Sequence, residues 1–170
     1  SLPVKSVREL IALAKARPGE LNYAAAGNGA GGHLAMELFK GMAGINMVTI
    51  IYKGGAQAVT DVIGGQVQLT VNNPIVVLPH VKSGRLRALA VTSAQRLAAA
   101  PELPTIAESG VPGFDASLWY GIVTPAGLPA PLTARLNTEF LKALQHPDTR
   151  ERLGLDGVRI IGSTPEQFGE

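Results

Sequence analysis

Four glycines within six residues separate an apolar strand from a helix in the stretch Tyr23-Ala24-Ala25-Ala26-Gly27-Asn28-Gly29-Ala30-Gly31-Gly32-His33-Leu34-Ala35. Glycine takes positive φ without steric cost and lets another group come close to the backbone. The helix that follows presents unpaired N–H groups and the positive end of its dipole. Together these make an anion site built from main chain. The polar side chains beside it are Asn28 and His33, and the loop holds no Cys, Asp or Glu. It therefore reads as a cradle for an anionic small molecule, with no chemistry done on it. Two other readings use the same glycines. They can serve as tight-turn residues alone. Gly27, Gly29 and Gly32 also spell G-x-G-x-x-G, the dinucleotide fingerprint, which expects an acidic residue about 20 positions further on. That place holds Ile50-Ile51-Tyr52-Lys53-Gly54-Gly55, without a carboxylate, although Lys53 can face a phosphate. The phosphate-loop pattern fails, because no Gly-Lys-Ser/Thr follows the glycines.

A chain of 170 residues suits one domain with a real core, or two lobes sharing it. Hydrophobic residues make up 46% and charged residues 16%, a globular rather than disordered balance. No apolar run approaches the roughly 18 to 20 residues needed to span a membrane. The net charge is only +2 and aromatics are 5%, so no basic stripe interleaved with stacking rings exists, and nucleic acid is not an expected partner. The absence of cysteine removes disulfides, thiolate metal sites and cysteine nucleophiles together. The chain starts at Ser1 without Met and shows no charged, apolar leader, so it is expected to be processed or cut from something longer.

Read in order, Ser6-Val7-Arg8-Glu9 is a capping box opening a helix through about Ala16. Leu21 to Ala26 is a short apolar strand, as in a sheet covered on both faces. A helix is expected over 32–42, stacking Leu34 on Leu38 and Ala35 on Phe39. A strand over 47–52, a helix over 56–63, a strand over 67–72, a helix over 75–82 and a strand over 86–92 follow. Such alternation implies parallel β-α-β units with right-handed crossovers. The links at 27–32, 52–55 and 72–74 all follow strands, and ligands sit at that carboxyl edge in open α/β sheets. Gly27, Asn28, Lys53, Gly54 and Asn72 are thereby expected at one rim. Beyond this, 93–113 is a long loop with a helical turn at Thr105–Ser109. Further strands are expected over 117–124 and 158–161, with a Pro/Gly linker at 125–131. An amphipathic helix is expected over 132–144, with Leu132, Leu136, Phe140, Leu141 and Leu144 inward, then a helical turn from Pro147 to Leu153. Thr164-Pro165-Glu166-Gln167 has the marks of a helix start. Glu170 ends the chain before that helix completes two turns.

The glycine loop running into His33-Leu34-Ala35-Met36-Glu37-Leu38-Phe39 resembles the Bug-type solute receptors of tripartite tricarboxylate transporters. Tyr52-Lys53-Gly54, Gly65-Gln66-Val67 and Gly84-Arg85-Leu86-Arg87-Ala88-Leu89-Ala90-Val91-Thr92 match as well. So do Leu103-Pro104-Thr105-Ile106-Ala107-Glu108-Ser109-Gly110, Pro112-Gly113-Phe114, Trp119-Tyr120-Gly121 and Pro125-Ala126-Gly127. The resemblance runs in order over essentially the whole chain. It implies an α/β fold of the type II periplasmic binding protein kind, with a parallel-sheet lobe plus part of a second lobe. It implies a periplasmic receptor that closes on a small carboxylate, without catalytic residues, metal or cofactor, and that works with the membrane components of a transporter. On this reading residues 1–116 form the second ligand-binding lobe, 117–124 a crossover strand, and 125–170 the incomplete C-terminal part of the first lobe, most of which precedes Ser1. Two departures bear on which carboxylate is held. Ala30-Gly31-Gly32 stands where the family often has hydroxyl residues, and Gln68 stands where an acid often follows the Gly-Gln-Val stretch.

The expected ligand-binding residues are Gly27, Asn28, Gly29, Ala30, Gly31, Gly32, Lys53, Gly54, Asn72 and Trp119. His33, in the first helical turn, is expected to be a neutral packing or capping group, since the positive helix end disfavours its charged form. His80 and His146 are isolated, and no metal spacing links them. Asp61 is expected to be solvated. Trp119 and Tyr120 alternate on the expected strand, so that one can line a cleft while the other packs. The functional alternatives are a dinucleotide-binding oxidoreductase using the Gly27–Gly32 loop and a ligand-sensing domain without transport. The apolar stripe at 132–144, with a hinge before it, leads to the expectation that this chain by itself self-associates.

Overall fold

A computed structural model describes residues 2–155 and 157–169, as two compact units that divide between Leu118 and Trp119. The sequence expectations that touch Ser1, Asp156 and Glu170 lie outside the described residues.

The first unit opens with α1 (Val7–Ala16). Its N-cap Ser6 accepts the Glu9 N–H at 3.2 Å, while the Glu9 carboxylate accepts the Lys5 N–H at 2.8 Å. Strand β1 (Asn22–Ala25) leads to α2 (Gly31–Ala43), which ends at Gly44 in the left-handed conformation. Then come β2 (Val48–Ile51), α3 (Gly55–Ile63), β3 (Leu69–Thr70) and α4 (Pro74–Lys82). The three strands are parallel, in the order β2-β1-β3. Central β1 is buried on both faces. Tyr23 and Ala25 pack with Val7 and Leu10 of α1 and Met36 and Phe39 of α2, while Ala24 faces Ala58 of α3 and Val67. The chain thus winds one way over one face and back over the other, as right-handed crossovers require. Phe39 meets Phe114 edge to face at 6.2 Å, so the long loop after α4 closes the α1–α2 side of the core.

A polar cluster seats α2 on the sheet. Glu37 accepts from the Tyr23 hydroxyl at 2.6 Å, from the Thr49 hydroxyl at 3.1 Å and from the Lys40 ammonium at 2.8 and 2.9 Å. One carboxylate therefore ties the helix to β1 and β2. The Lys40 bonds first, and then the Tyr23 hydroxyl, hold its pKa down at about 2. Burial, followed by the Glu37 bond, pushes Tyr23 up to about 12.

Several expectations are corrected. The segment 86–92 forms no strand, and Val91 makes only an isolated bridge to Thr105. A strand exists only where a neighbour pairs along it, and among the described residues this segment has no more than that single bridge. Residues 117–124 and 158–161 likewise form no strand ladder among the described residues. The third strand shrinks from six expected residues to Leu69–Thr70. Leu34 and Leu38 are exposed, and the buried face of α2 is Ala35, Met36 and Phe39. Both stripes fit a 3.6-residue period, and contact with the sheet decides between them. Strand β2 is an edge, with Val48, Ile50 and Ile51 exposed. The turn expected at Thr105–Ser109 is present. Its Glu108 N–H donates to the Thr105 hydroxyl at 3.0 Å, and the Thr105 N–H donates to the Glu108 carboxylate at 2.8 Å.

The second unit holds α5 (Ala130–Gln145), α6 (Pro147–Leu155) and α7 (Pro165–Gly169). Thr164 and Gln167 cap α7 reciprocally at 3.0 and 3.2 Å, and Asn137 Nδ2 donates to the Ser163 carbonyl at 3.0 Å, which fixes the approach to α7. Helix α5 buries none of its residues. Of its expected inward stripe, Leu132 and Phe140 are exposed and Leu136, Leu141 and Leu144 are half-buried. No helix among the described residues is long and apolar enough to cross a membrane.

Two tests follow from this packing. A Cβ on Gly32 would run into the Val71 carbonyl oxygen, whereas one on Gly41, later in the same helix, would meet open space. Gly32→Ala should therefore cost about 1–3 kcal/mol in urea unfolding, while Gly41→Ala should gain about 0.5–1 kcal/mol. Equal effects at the two positions would contradict the close approach. The second test is acid unfolding. The fold favours the charged form of Glu37, so its stabilisation is complete above the ordinary value of 4.5 and is lost as pH falls towards 2. Glu37→Gln should flatten the stability profile across that window, and an unchanged slope would show that the cluster carries no such linkage.

Candidate functional site

The three links that follow β1, β2 and β3 leave the same edge of the sheet, because the strands are parallel. In the link after β1, Gly27 and Gly29 have φ of 155° and 71°, a region that favours glycine. The Ala30 N–H bonds back to the Gly27 carbonyl at 3.3 Å. The chain then enters α2 with Ala30 as N-cap, which offers no side-chain bond to the helix. Among the described residues, the N–H groups of Gly31, Gly32 and His33 have no acceptor. The start of α3 is alike. Gly54 is its N-cap, without a side chain to cap it, and the N–H groups of Gly55, Ala56 and Gln57 have no acceptor among the described residues. The start of α4 differs, because Asn73 Oδ1 takes the Ile75 N–H at 3.0 Å and closes that terminus. Two of the three helix starts at this edge are open to an anion, and neither link that leads to them contains an acidic residue.

Close contacts hold the links together. The Gly32 Cα lies against the Val71 carbonyl, so the link after β1 touches the link after β3. Asn72 Nδ2 donates to the Gly55 carbonyl at 3.1 Å, and its Oδ1 accepts the Asn73 N–H at 2.9 Å. A Cβ on Gly55 would sit 2.7 Å from that Oδ1, so only glycine lets the side chain lie flat on the start of α3. Asn72 is thus spent on positioning α3. Asn28 and Lys53 are exposed, and Lys53 makes no ion pair among the described residues.

Not every N–H of the glycine loop is available. Gly29 donates its own to His33 Nδ1 at 2.9 Å. His33 Nδ1 thus caps the loop as an acceptor, and its Nε2 lies 3.8 Å from Glu37 Oε1. Sequence reading passed over Glu37, although it stands four residues after His33 and three before Lys40, the spacing at which helix side chains meet. Asp61 is not simply solvated, since it accepts the Tyr52 hydroxyl at 2.8 Å; burial first, and that bond second, raise the Tyr52 pKa. Gln68 Oε1 accepts the Asn22 N–H at 2.7 Å, at the amino end of β1 and away from the edge where the links leave. Trp119 belongs to the second unit, where its ring stands edge to face with Phe168 at 5.6 Å. Among the described residues no three His, Asp or Glu side chains converge as a metal site would need.

This arrangement can hold a negative group by backbone donors. BugT of Bordetella pertussis is 39% identical over 166 residues, covering 98% of this chain and 51% of that protein. The R. palustris protein Rpa4515, solved with adipate, superposes with a TM-score of 0.93 at 38% identity, covering 99% of this chain and 56% of that one. MatC of Rhodopseudomonas palustris, solved with bound malate, gives a TM-score of 0.83 at 28% identity over 97% of this chain and 55% of its own. The periplasmic binding protein BugD gives 0.90 at 33% identity, over 99% of this chain and 57% of its own. The chain spans about half the length of these relatives. The fold is accordingly the α/β fold of periplasmic binding proteins, represented by about half of its length. The family model described as the tripartite tricarboxylate transporter family receptor matches residues 1–168. The chain belongs to that family, which is one of periplasmic binding proteins and not of enzymes.

Proposed function

We propose that this chain supplies one lobe of a receptor that holds a small carboxylate and presents it to the membrane components of a tripartite tricarboxylate-type transporter. The observation that carries the reading is the pair of open helix starts, α2 and α3, on adjacent parallel strands. Their unclaimed N–H groups point along two dipoles whose positive ends lie at one edge. The ligand carboxylate is held by the N–H groups of Gly31 and Gly32, over the turn made by Gly27, Gly29 and Ala30. Asn28 and Lys53 add side-chain donors from the rim, and Gly54 leaves the start of α3 unobstructed. Asn72 keeps α3 in place. The adipate and malate held by two solved relatives are small dicarboxylates, of the size and charge this edge accepts.

Calorimetry of the full-length protein against a panel including adipate and malate should give at least one saturable isotherm, with the ligand returned unchanged. Gly31→Val places bulk over the open N–H groups. The nearest obstacle to its new side chain is the mobile end of Leu118, which can swing aside and spare the fold. That substitution should weaken binding by about 1–3 kcal/mol, the size of charge-assisted bonds to a buried anion. His33→Ala frees only the exposed Gly29 N–H and should cost less. Loss of binding in His33→Ala with Gly31→Val unaffected would contradict the main-chain model.

Residues 1–170 alone self-associate on this reading, through the α5 face that leaves Leu132 and Phe140 exposed. Light scattering at micromolar concentration should read a dimer or larger, and a clean monomer would contradict it.

A further inference from the structure

An apolar side chain stands at the start of α2. Leu118 lies directly against Gly31, in the space that a Cβ on residue 31 would take. Gly31 therefore does two things: it leaves its N–H open, and it makes the seat in which Leu118 rests. The segment before Leu118 is anchored. The Ala116 N–H donates to the Thr92 carbonyl at 2.8 Å, and Asp115 Oδ1 accepts the Ala94 N–H at 3.2 Å and the Ser117 N–H at 3.0 Å. Leu118 is nevertheless 54% exposed, so its methyl groups remain open to contact.

The surroundings of Leu118 are short of hydroxyl partners. Ala30, the N-cap of α2, brings a methyl group where Ser or Thr would bring a hydroxyl. The hydroxyls of the flanking segments are already engaged. Ser117 donates to Asp115 Oδ1 at 2.6 Å, and Thr70 donates to the Ala24 carbonyl at 2.8 Å. Asn72 is occupied with the start of α3.

On the reading that the open N–H groups of Gly31 and Gly32 hold a carboxylate, we infer that Leu118 chooses among carboxylates: it packs on the carbon next to the bound carboxyl group and favours a plain methylene there over a carbon that bears a hydroxyl. Main-chain donors hold every carboxylate alike, so discrimination falls to the side chain beside them. A hydroxyl placed against Leu118 loses water and gains no partner, which costs free energy. The preferred ligands are then unsubstituted aliphatic carboxylates, with 2-hydroxy acids held more weakly. An apolar wall rejects an added hydroxyl by no more than about 100-fold, so the preference is graded rather than absolute.

Calorimetry of the full-length protein with matched pairs tests this: succinate against malate, and adipate against 2-hydroxyadipate. The plain acid of a pair should bind about 10- to 100-fold more tightly than its hydroxy partner. Leu118→Ala should bring that ratio towards one, and Leu118→Asn, whose amide can bond the hydroxyl, should bring it to one or invert it. The ratio within a pair is the readout, because a disturbed fold weakens both members together. A ratio that neither variant changes would overturn the proposal and leave carboxylate binding standing, as would a wild-type preference for the hydroxy acids. Binding of none of the four acids would remove the aliphatic class and overturn the proposal, whereas the carboxylate reading itself falls only with the whole panel.

Discussion

The first-turn N–H groups of α2 and α3 have nothing in the described chain to bond, and this one shortage orders the rest of the molecule. A helix start without an acceptor is tolerated where water or a ligand can reach it. The fold keeps both starts at one edge by making the strands parallel, and it keeps them close by removing side chains at the contacts. Gly32 lies on the Val71 carbonyl and Gly55 lies under Asn72. The third helix start, capped by Asn73, shows that the same edge closes a terminus when the sequence provides a cap. What distinguishes the links into α2 and α3 is the absence of an N-cap side chain: Ala30 and Gly54 stand where Ser, Asp or Asn would otherwise satisfy the helix.

Behind the loop, one carboxylate is fully engaged by its neighbours. Glu37 is bound by Lys40, Tyr23 and Thr49. His33 stands between that cluster and the loop, taking the Gly29 N–H on one nitrogen and facing Glu37 with the other. The loop conformation is thus connected through one imidazole to the cluster that seats α2 on the sheet.

Features determined by neighbours in sequence were legible beforehand. The Ser6–Glu9 cap, the glycine turn, the α2 and α3 starts and the Thr164–Gln167 box each need only a few adjacent residues, and each formed within a residue or two of its expected place. Features determined by distant partners were not. Leu86–Thr92 has the composition of a strand, yet a strand requires another beside it, and composition does not provide one. Which of the two apolar stripes of α2 is buried, Ala35, Met36 and Phe39 rather than Leu34 and Leu38, depends on contact with the sheet, which helical spacing alone does not specify. The joining of three links at one edge followed from β-α-β alternation alone. The bonds of Asn72 to Gly55, of Glu37 to Tyr23 and of Gln68 to Asn22 span 17, 14 and 46 positions of sequence, which no local pattern encodes, whereas the Glu37 contacts to His33 and Lys40 follow helical spacing.

The central claim is that a carboxylate is held by main-chain donors at the start of α2. Amide chemical shifts of isotope-labelled full-length protein, followed by NMR during titration with adipate or malate, test it most directly. The account predicts that the largest downfield proton shifts fall on Gly31 and Gly32, with the Gly29 amide, already bonded to His33, moving less. Saturable binding that leaves the Gly31 and Gly32 amides unmoved would contradict it.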